Sequence, residues 1–240
     1  MEITPGVYSI GQLRGRAAYS SGRVHAFLID DGESLTLVDT LWYPDAKLIL
    51  DQIRRLGRPI TDLKHIVLTH GHRSHLGGLA ELKRASGATV YAHEWEADII
   101  AGERKAQGVS LKPHRPYVIV PQQLAITLGI GKHTPCPVDQ TIAGGDRVGP
   151  LEVIHAPGHS PGHLAFYWPS RSFLIAGDAV STWPEFDAGW PVFNLNWRQH
   201  RQTLRRFAEL EPQVVGVGHG LPITAGARER LRSLVERYHD

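Results

Sequence analysis

The stretch Ile66-Val67-Leu68-Thr69-His70-Gly71-His72-Arg73-Ser74-His75-Leu76-Gly77-Gly78 is where the reading of this chain begins. An apolar run stops abruptly, and His70, His72 and His75 follow within a few positions. Glycines stand between and after them and permit a tight backbone path. Clustered imidazoles repel one another when protonated, and a bound cation that keeps them neutral is the simplest compensation. The plainer alternative is a polar loop with exposed histidines.

The same pattern recurs downstream. Val153-Ile154 leads to His159 within Ala156-Pro157-Gly158-His159-Ser160-Pro161-Gly162-His163. Leu174-Ile175-Ala176-Gly177 meets Asp178, and Val215-Gly216-Val217-Gly218 meets His219. Each places a metal-binding side chain just past a strand-like run, and loops at strand ends converge on one edge of a sheet. Taken singly, His219 reads as a turn histidine, Asp178 as a helix N-cap and the segment from Ala156 to His163 as a Pro/Gly loop. Taken together they read as one constellation.

Strands are expected at Val24 to Ile29, Leu35 to Val38, His65 to Leu68, Thr89 to Ala92, Leu151 to Ile154, Leu164 to Trp168, Phe173 to Ala176 and Val214 to Val217. Segments of helical period lie at Asp45 to Leu56, Leu79 to Arg84, Arg198 to Leu210 and Ala225 to Tyr238. Two stretches break this rhythm. Residues 99–145 carry scattered prolines and read as a long insertion. Ser181 to Trp197 gathers Trp183, Phe186, Trp190, Phe193 and Trp197 around Pro184 and Pro191. Such segments are usually lids or binding loops. With no repeat and no flexible linker, residues 1–240 are expected to form one domain.

Among 240 residues, 26 Lys+Arg against 24 Asp+Glu leave a net charge of +2, without a basic block that would mark a polyanion partner. No apolar run approaches the roughly 18 residues of a membrane span. The lone Cys136 excludes an internal disulfide, and Met1 to Gly6 lacks the pattern of a secretory leader. The expectation is a cytoplasmic protein acting on a small molecule, with neither nucleic acid nor membrane as partner, and with a homodimer as a candidate assembly. No Gly-x-Ser-x-Gly elbow or phosphate-binding loop competes with the histidines, and Cys136 reads as structural rather than catalytic.

The order of these pieces resembles the metallo-β-lactamase-fold hydrolases, whose hallmark is THxHxDH followed by a downstream His, an Asp after a strand and a last His. The likeness covers nearly the whole chain. It implies an α+β fold, a four-layer αββα sandwich with metals at one edge between two sheets. It implies that His70, His72 and His159 hold a first metal and that His75 and His219 belong to a second, with Asp178 bridging both; Asp178 and His75 are also the expected catalytic residues. Asp39 matches an early supporting aspartate of the family, although a turn-capping role is equally open.

Where the pattern has Asp, this chain has Ser74. A neutral hydroxyl is a far poorer ligand than a carboxylate, so the expectation is an occupied first site and a weaker second one. Zinc is the default ion, one or two per chain, with iron or manganese as alternatives. The implied chemistry is a metal-bound hydroxide attacking a small-molecule ester, thioester, lactone or lactam. Two other readings stand beside it: a mononuclear iron sulfur dioxygenase-like oxidoreductase, and a metal-binding protein with weak catalysis because of Ser74. The aromatics Trp183, Phe186, Trp190 and Phe193, with Trp197, either wall an apolar substrate pocket or serve insertion packing or a dimer contact. His93 and His163 read as partners orienting a ligand imidazole, or as packing residues.

Overall fold

The computed structural model describes residues 1–13, 23–106 and 133–239, together with Val120, Leu124 and Leu128. Its strands are β1 (Glu2–Thr4), β2 (Val7–Leu13), β3 (Arg23–Asp30), β4 (Leu35–Val38), β5 (Leu63–Val67), β6 (Thr89–Ala92), β7 (Gln140–Thr141), β8 (Arg147–Val148), β9 (Leu151–His155), β10 (Leu164–Trp168), β11 (Phe173–Ile175) and β12 (Val214–Gly216). The helices are α1 (Lys47–Arg55), α2 (Arg73–Leu76), α3 (Leu79–Ser86), α4 (Glu94–Ile100), α5 (Trp197–Glu209) and α6 (Ala227–Arg237). The first seven strands form one sheet in chain order, and the other five form a second in the order β12-β11-β10-β9-β8.

The layering follows from the period of two along each strand. In β3, Phe27 and Ile29 face the second sheet, whereas Ala26 and Leu28 face α1 and α3. In β10 and β11, Phe166, Phe173 and Ile175 face the first sheet, and Ala165 and Leu174 face α5 and α6. Both faces of each sheet are therefore covered, one by the other sheet and one by helices, which makes the α+β, four-layer αββα sandwich. The inter-sheet core includes an edge-to-face pair, Phe27 and Phe173, with ring centres 5.7 Å apart.

The first sheet changes character at β4. Strands β1 to β4 are antiparallel neighbours, and β4 to β7 run parallel. The parallel half sends the chain from β5 directly into the histidine loop. The sheets meet at this edge: Leu164 N–H donates to the Thr69 carbonyl at 2.8 Å, and His25 N–H donates to the Gly218 carbonyl at 3.0 Å.

Every run expected to be a strand coincides with one, within two residues at each end. The strands β1, β2, β7 and β8 and the helix α4 were not expected. About half of the 99–145 insertion lies outside the described residues, as does His114. Its margins are built into the fold, for Ile99 and Ile100 close α4, Cys136 is buried against the first helical layer and Gln140–Thr141 pair with β6. Among the described residues, no helix is long and apolar enough to cross a membrane.

Candidate metal centre

Asp39 organises the centre from the end of β4. Its Oδ1 accepts from Thr69 N–H at 2.9 Å, and its Oδ2 accepts the Thr69 hydroxyl at 2.8 Å. Because that hydroxyl hydrogen is committed to a carboxylate, Thr69 Oγ1 is left to accept from His70 Nδ1 at 3.0 Å. His75 Nδ1 donates to Asp39 Oδ2 at 2.9 Å. His70 thus carries its proton on Nδ1 and presents Nε2 inward, the tautomer that ligates a cation, and His75 is anchored by Nδ1 so that its Nε2 also points inward, open to a cation once its second proton is displaced. Asp39 is buried and holds a positive φ of 61°, so it acts through these bonds from behind the imidazoles.

Asp178 stands at the middle of the opposite side, on the turn Gly177–Ala179 just after β11. Its Oδ2 lies 3.7 Å from His70 Nε2, 3.7 Å from His159 Nε2 and 3.4 Å from His219 Nε2, and its Oδ1 lies 3.3 Å from His75 Nε2. His72 turns Nδ1 toward His159 Nε2 at 3.1 Å. The donor atoms form two overlapping sets, His70, His72, His159 and Asp178 in one and His75, Asp178 and His219 in the other, each with its atoms within 4.8 Å of one another. Asp178 is common to both.

His70, His75, His159, Asp178 and His219 are buried, and His72 is partly exposed. His70 Nε2, His75 Nε2 and Asp178 Oδ1 are buried without a hydrogen bond. Orphaned buried polar atoms are rare and costly. These three fit cations at the two donor sets, His70 facing the first, His75 the second and Asp178 both. Burial holds His70 and His159 well below the ordinary imidazole range and lowers His72 to about 4, which keeps them neutral as ligands must be. Burial also acts against a charged His75, but Asp178 and Asp39 on its two sides outweigh it and push the group up to about 10. Burial raises the Asp178 carboxyl, yet His219 and His75 hold it well below the usual carboxylate range.

The sequence model of the metallo-beta-lactamase superfamily matches residues 20–219. The chain belongs to this superfamily. A probable metallo-hydrolase of Bacillus subtilis (strain 168), YybB, is 28% identical over 219 residues, spanning 90% of this chain and 89% of the relative. A hydroxyacylglutathione hydrolase of Cereibacter sphaeroides (strain ATCC 17023) is 32% identical over 198 residues, covering 80% of this chain but only 60% of that enzyme. Among solved structures, a metallo-beta-lactamase from Pontibacter korlensis superposes with a TM-score of 0.71 at 20% identity, covering 100% of this chain and 98% of the other. TTHA1623 in a di-iron-bound form superposes with a TM-score of 0.63 at 26% identity, covering 92% and 97%. With this membership and the His/Asp cluster, the chain is a metal-binding hydrolase of the metallo-beta-lactamase superfamily.

Within this superfamily member, Ser74 is 3% exposed on α2, next to His75. It brings a hydroxyl, not a carboxylate, to that position. The aromatic segment divides. Trp190 is buried with its ring centre 4.5 Å from that of His219, Phe193 lies 5.4 Å and Trp183 5.9 Å from Trp190, and Trp190 Nε1 donates to the Trp183 carbonyl. Phe186 instead packs against the α5–α6 layer under Arg230, and Trp197 stacks on Tyr238 at 5.2 Å. Around Pro184 and Pro191 the aromatics divide between two clusters, Trp183, Trp190 and Phe193 in one and Phe186 and Trp197 in the other, which composition does not separate.

His163 is buried, and its Nε2 accepts from Asp178 N–H at 3.2 Å. It holds the backbone of the central carboxylate, and its ring packs against those of His70 at 5.2 Å and His159 at 5.8 Å. Burial lowers it to about 3, which keeps that nitrogen available as an acceptor. His93 accepts from Trp95 N–H at 3.1 Å and caps α4. The residue that the sequence reading missed altogether is Glu96, on α4 and 2% exposed, which accepts from Gly71 N–H at 3.0 Å and from Ser160 Oγ at 2.5 Å.

Proposed function

We propose that the chain hydrolyses a small-molecule ester, thioester, lactone or lactam, with zinc as its ordinary ion at the His70, His72, His159 and Asp178 position. The observation that carries this reading is the buried Asp178 carboxylate ringed by imidazoles whose Nε2 atoms face it at 3.3 to 3.7 Å. A divalent cation held there would supply Lewis acidity, lowering the pKa of a bound water from about 15.7 toward about 7 and polarising the scissile carbonyl. Asp39 and Thr69 would keep His70 and His75 in the ligating tautomer. Asp178 would balance the positive charge and accept a hydrogen bond from the attacking water.

Ser74 supports an uneven pair of metal positions. The His75, Asp178 and His219 set has a single carboxylate, shared with the first set, so the second ion is the weaker one. Trp190, tilted beside the His219 ring, and Trp183, edge-on to Trp190, supply an apolar wall on that side, and an acyl or ring portion without charge suits it. The net charge of +2 and the absence of a basic tract favour a small molecule over nucleic acid.

The test is turnover of chromogenic esters, thioesters and lactones by protein loaded with one ion of zinc, iron or manganese. Hydrolysis that follows metal content and disappears in Asp178→Asn and His70→Ala is expected. Oxygen uptake with a persulfide under iron loading, without hydrolysis, would move the assignment to the oxidoreductase reading. Binding of metal without any turnover would leave the metal-binding reading.

A further inference from the structure

We infer that Glu96 is a positioning residue for the first metal position: its carboxylate, reaching in from α4, ties the loop of His70 and His72 to the loop of His159 and sets the spacing of the three imidazoles. The inference rests on the reading of those histidines as ligands.

The bonds run to both loops. Gly71, whose N–H donates to Glu96 Oε2 at 3.0 Å, sits between His70 and His72, and Ser160, whose hydroxyl donates to Oε1 at 2.5 Å, directly follows His159. Gly162 N–H donates to the same carboxylate, one residue before His163. A carboxylate has two oxygens and about four lone-pair sites, so it alone among side chains of this length accepts three donors arriving from two directions. At 2% exposure these bonds replace lost hydration. Burial pushes the carboxyl up, and the bonds from Ser160, Gly71 and Gly162 oppose that rise.

Close approach is built in on both sides. A Cβ on Gly71 would stand 2.9 Å from Glu96 Oε2, and a Cβ on Gly162 would stand 2.8 Å from Glu96 Cγ. Any side chain at either glycine would push the carboxylate off one loop. The helix that delivers Glu96 is itself fixed: His93 caps it, the His93 ring stacks on His155 at 4.8 Å, and Ile99 and Ile100 bury its inner face at the i+3 and i+4 positions from Glu96. His70 and His159 are therefore attached to a common buried anchor, independently of any cation between them.

Substitutions behind metal ligands typically weaken metal affinity or activity by about 10–100-fold. The experiment titrates Co(II) into metal-free full-length protein, reading the affinity of the first ion by chelator competition and its geometry by visible absorption. The inference predicts that Glu96→Ala, folded by circular dichroism, binds the first ion about 10–100-fold more weakly and with altered visible bands. First-ion affinity within about twofold of wild type, with unchanged bands, overturns it. If Glu96→Ala does not fold, Glu96→Asp, one methylene too short to span both loops, is judged by the same criteria. His159→Ala separates the two levels of the argument. If it abolishes first-ion binding while the Glu96 variants do not weaken it, Glu96 is no positioning residue and the ligand assignment survives; if His159→Ala binds as wild type does, both fall.

Discussion

Ser74 is the residue at which this chain departs from its family's pattern. It sits in the metal loop with neighbours that are all in place, so a single added carboxylate has a defined effect. Ser74→Asp should bring the ion content after mild chelation from one per chain to two, measured by elemental analysis of purified protein. Trp190 gives a second prediction at the same scale. Trp190→Ala removes the ring lying 4.5 Å from His219 and should raise KM for esters with apolar acyl groups about tenfold, with a smaller change in kcat and in KM for acetyl esters. The five histidines and Asp178 were legible in the sequence because His70, Asp178 and His219 directly follow apolar runs and His72, His75 and His159 stand a few residues beyond one, a signal carried by nearby residues. Glu96 was not legible. It looks like any acidic residue at the start of a helix, and only its shared face with Ile99 and Ile100 hints that it points inward. Its partners Gly71 and Ser160 are 25 and 64 residues away.

At the scale of elements, the strand ends do the positioning, and they depend on residues without side chains. A Cβ on Gly218, two residues past β12, would lie 2.0 Å from Asp178 Oδ1. Gly218→Ala should therefore displace the central carboxylate, with metal binding falling by at least about tenfold while the circular dichroism spectrum is kept. The hairpin β2–β3 carries a different buried group. His25, accepting or donating at 2.7 Å with Ser9 Oγ, is lowered by burial to about 4 from an ordinary 6.5. The unfolded chain then binds this proton below 6.5 and the folded chain does not, so His25 contributes stability above pH 6.5 that is lost as pH falls toward about 4. In His25→Phe, which also lacks the Ser9 bond, the decline of denaturant stability between pH 6.5 and 4 should be shallower than in wild type. Strands β3 to β6 and β9 to β12 were readable from their apolar runs. β1 and β2 were not, because Tyr8, Ser9, Gly11 and Gln12 interrupt the apolar pattern; Ser9 and Gln12 are buried only through tertiary hydrogen bonds.

At the scale of the whole molecule, the candidate centre exists because two sheets end at a common edge. The histidine loop and Asp39 come from the first sheet, and His159, Asp178 and His219 come from the second. Packing between the sheets and geometry at the centre are thus one property. Phe173→Ala, which empties the fully buried side of the Phe27–Phe173 pair, should cost about 3–5 kcal/mol in denaturant unfolding and loosen metal binding as well, though no ligand is touched. The layered fold was expected from the resemblance and follows independently from the alternation along β3, β10 and β11. What separates Trp190 from Phe186 is the irregular path around Pro184 and Pro191, which no periodicity encodes.

The central claim is that Asp178 and the histidines around it hold a tightly bound ion on the His70, His72 and His159 side and a weak one on the other. The most direct measurement is the metal content of purified protein after dialysis against a mild chelator, with His70→Ala alongside. One ion per chain in wild type and none in His70→Ala is the predicted result. Two ions resistant to the chelator in wild type, or an undiminished ion in His70→Ala, would contradict it.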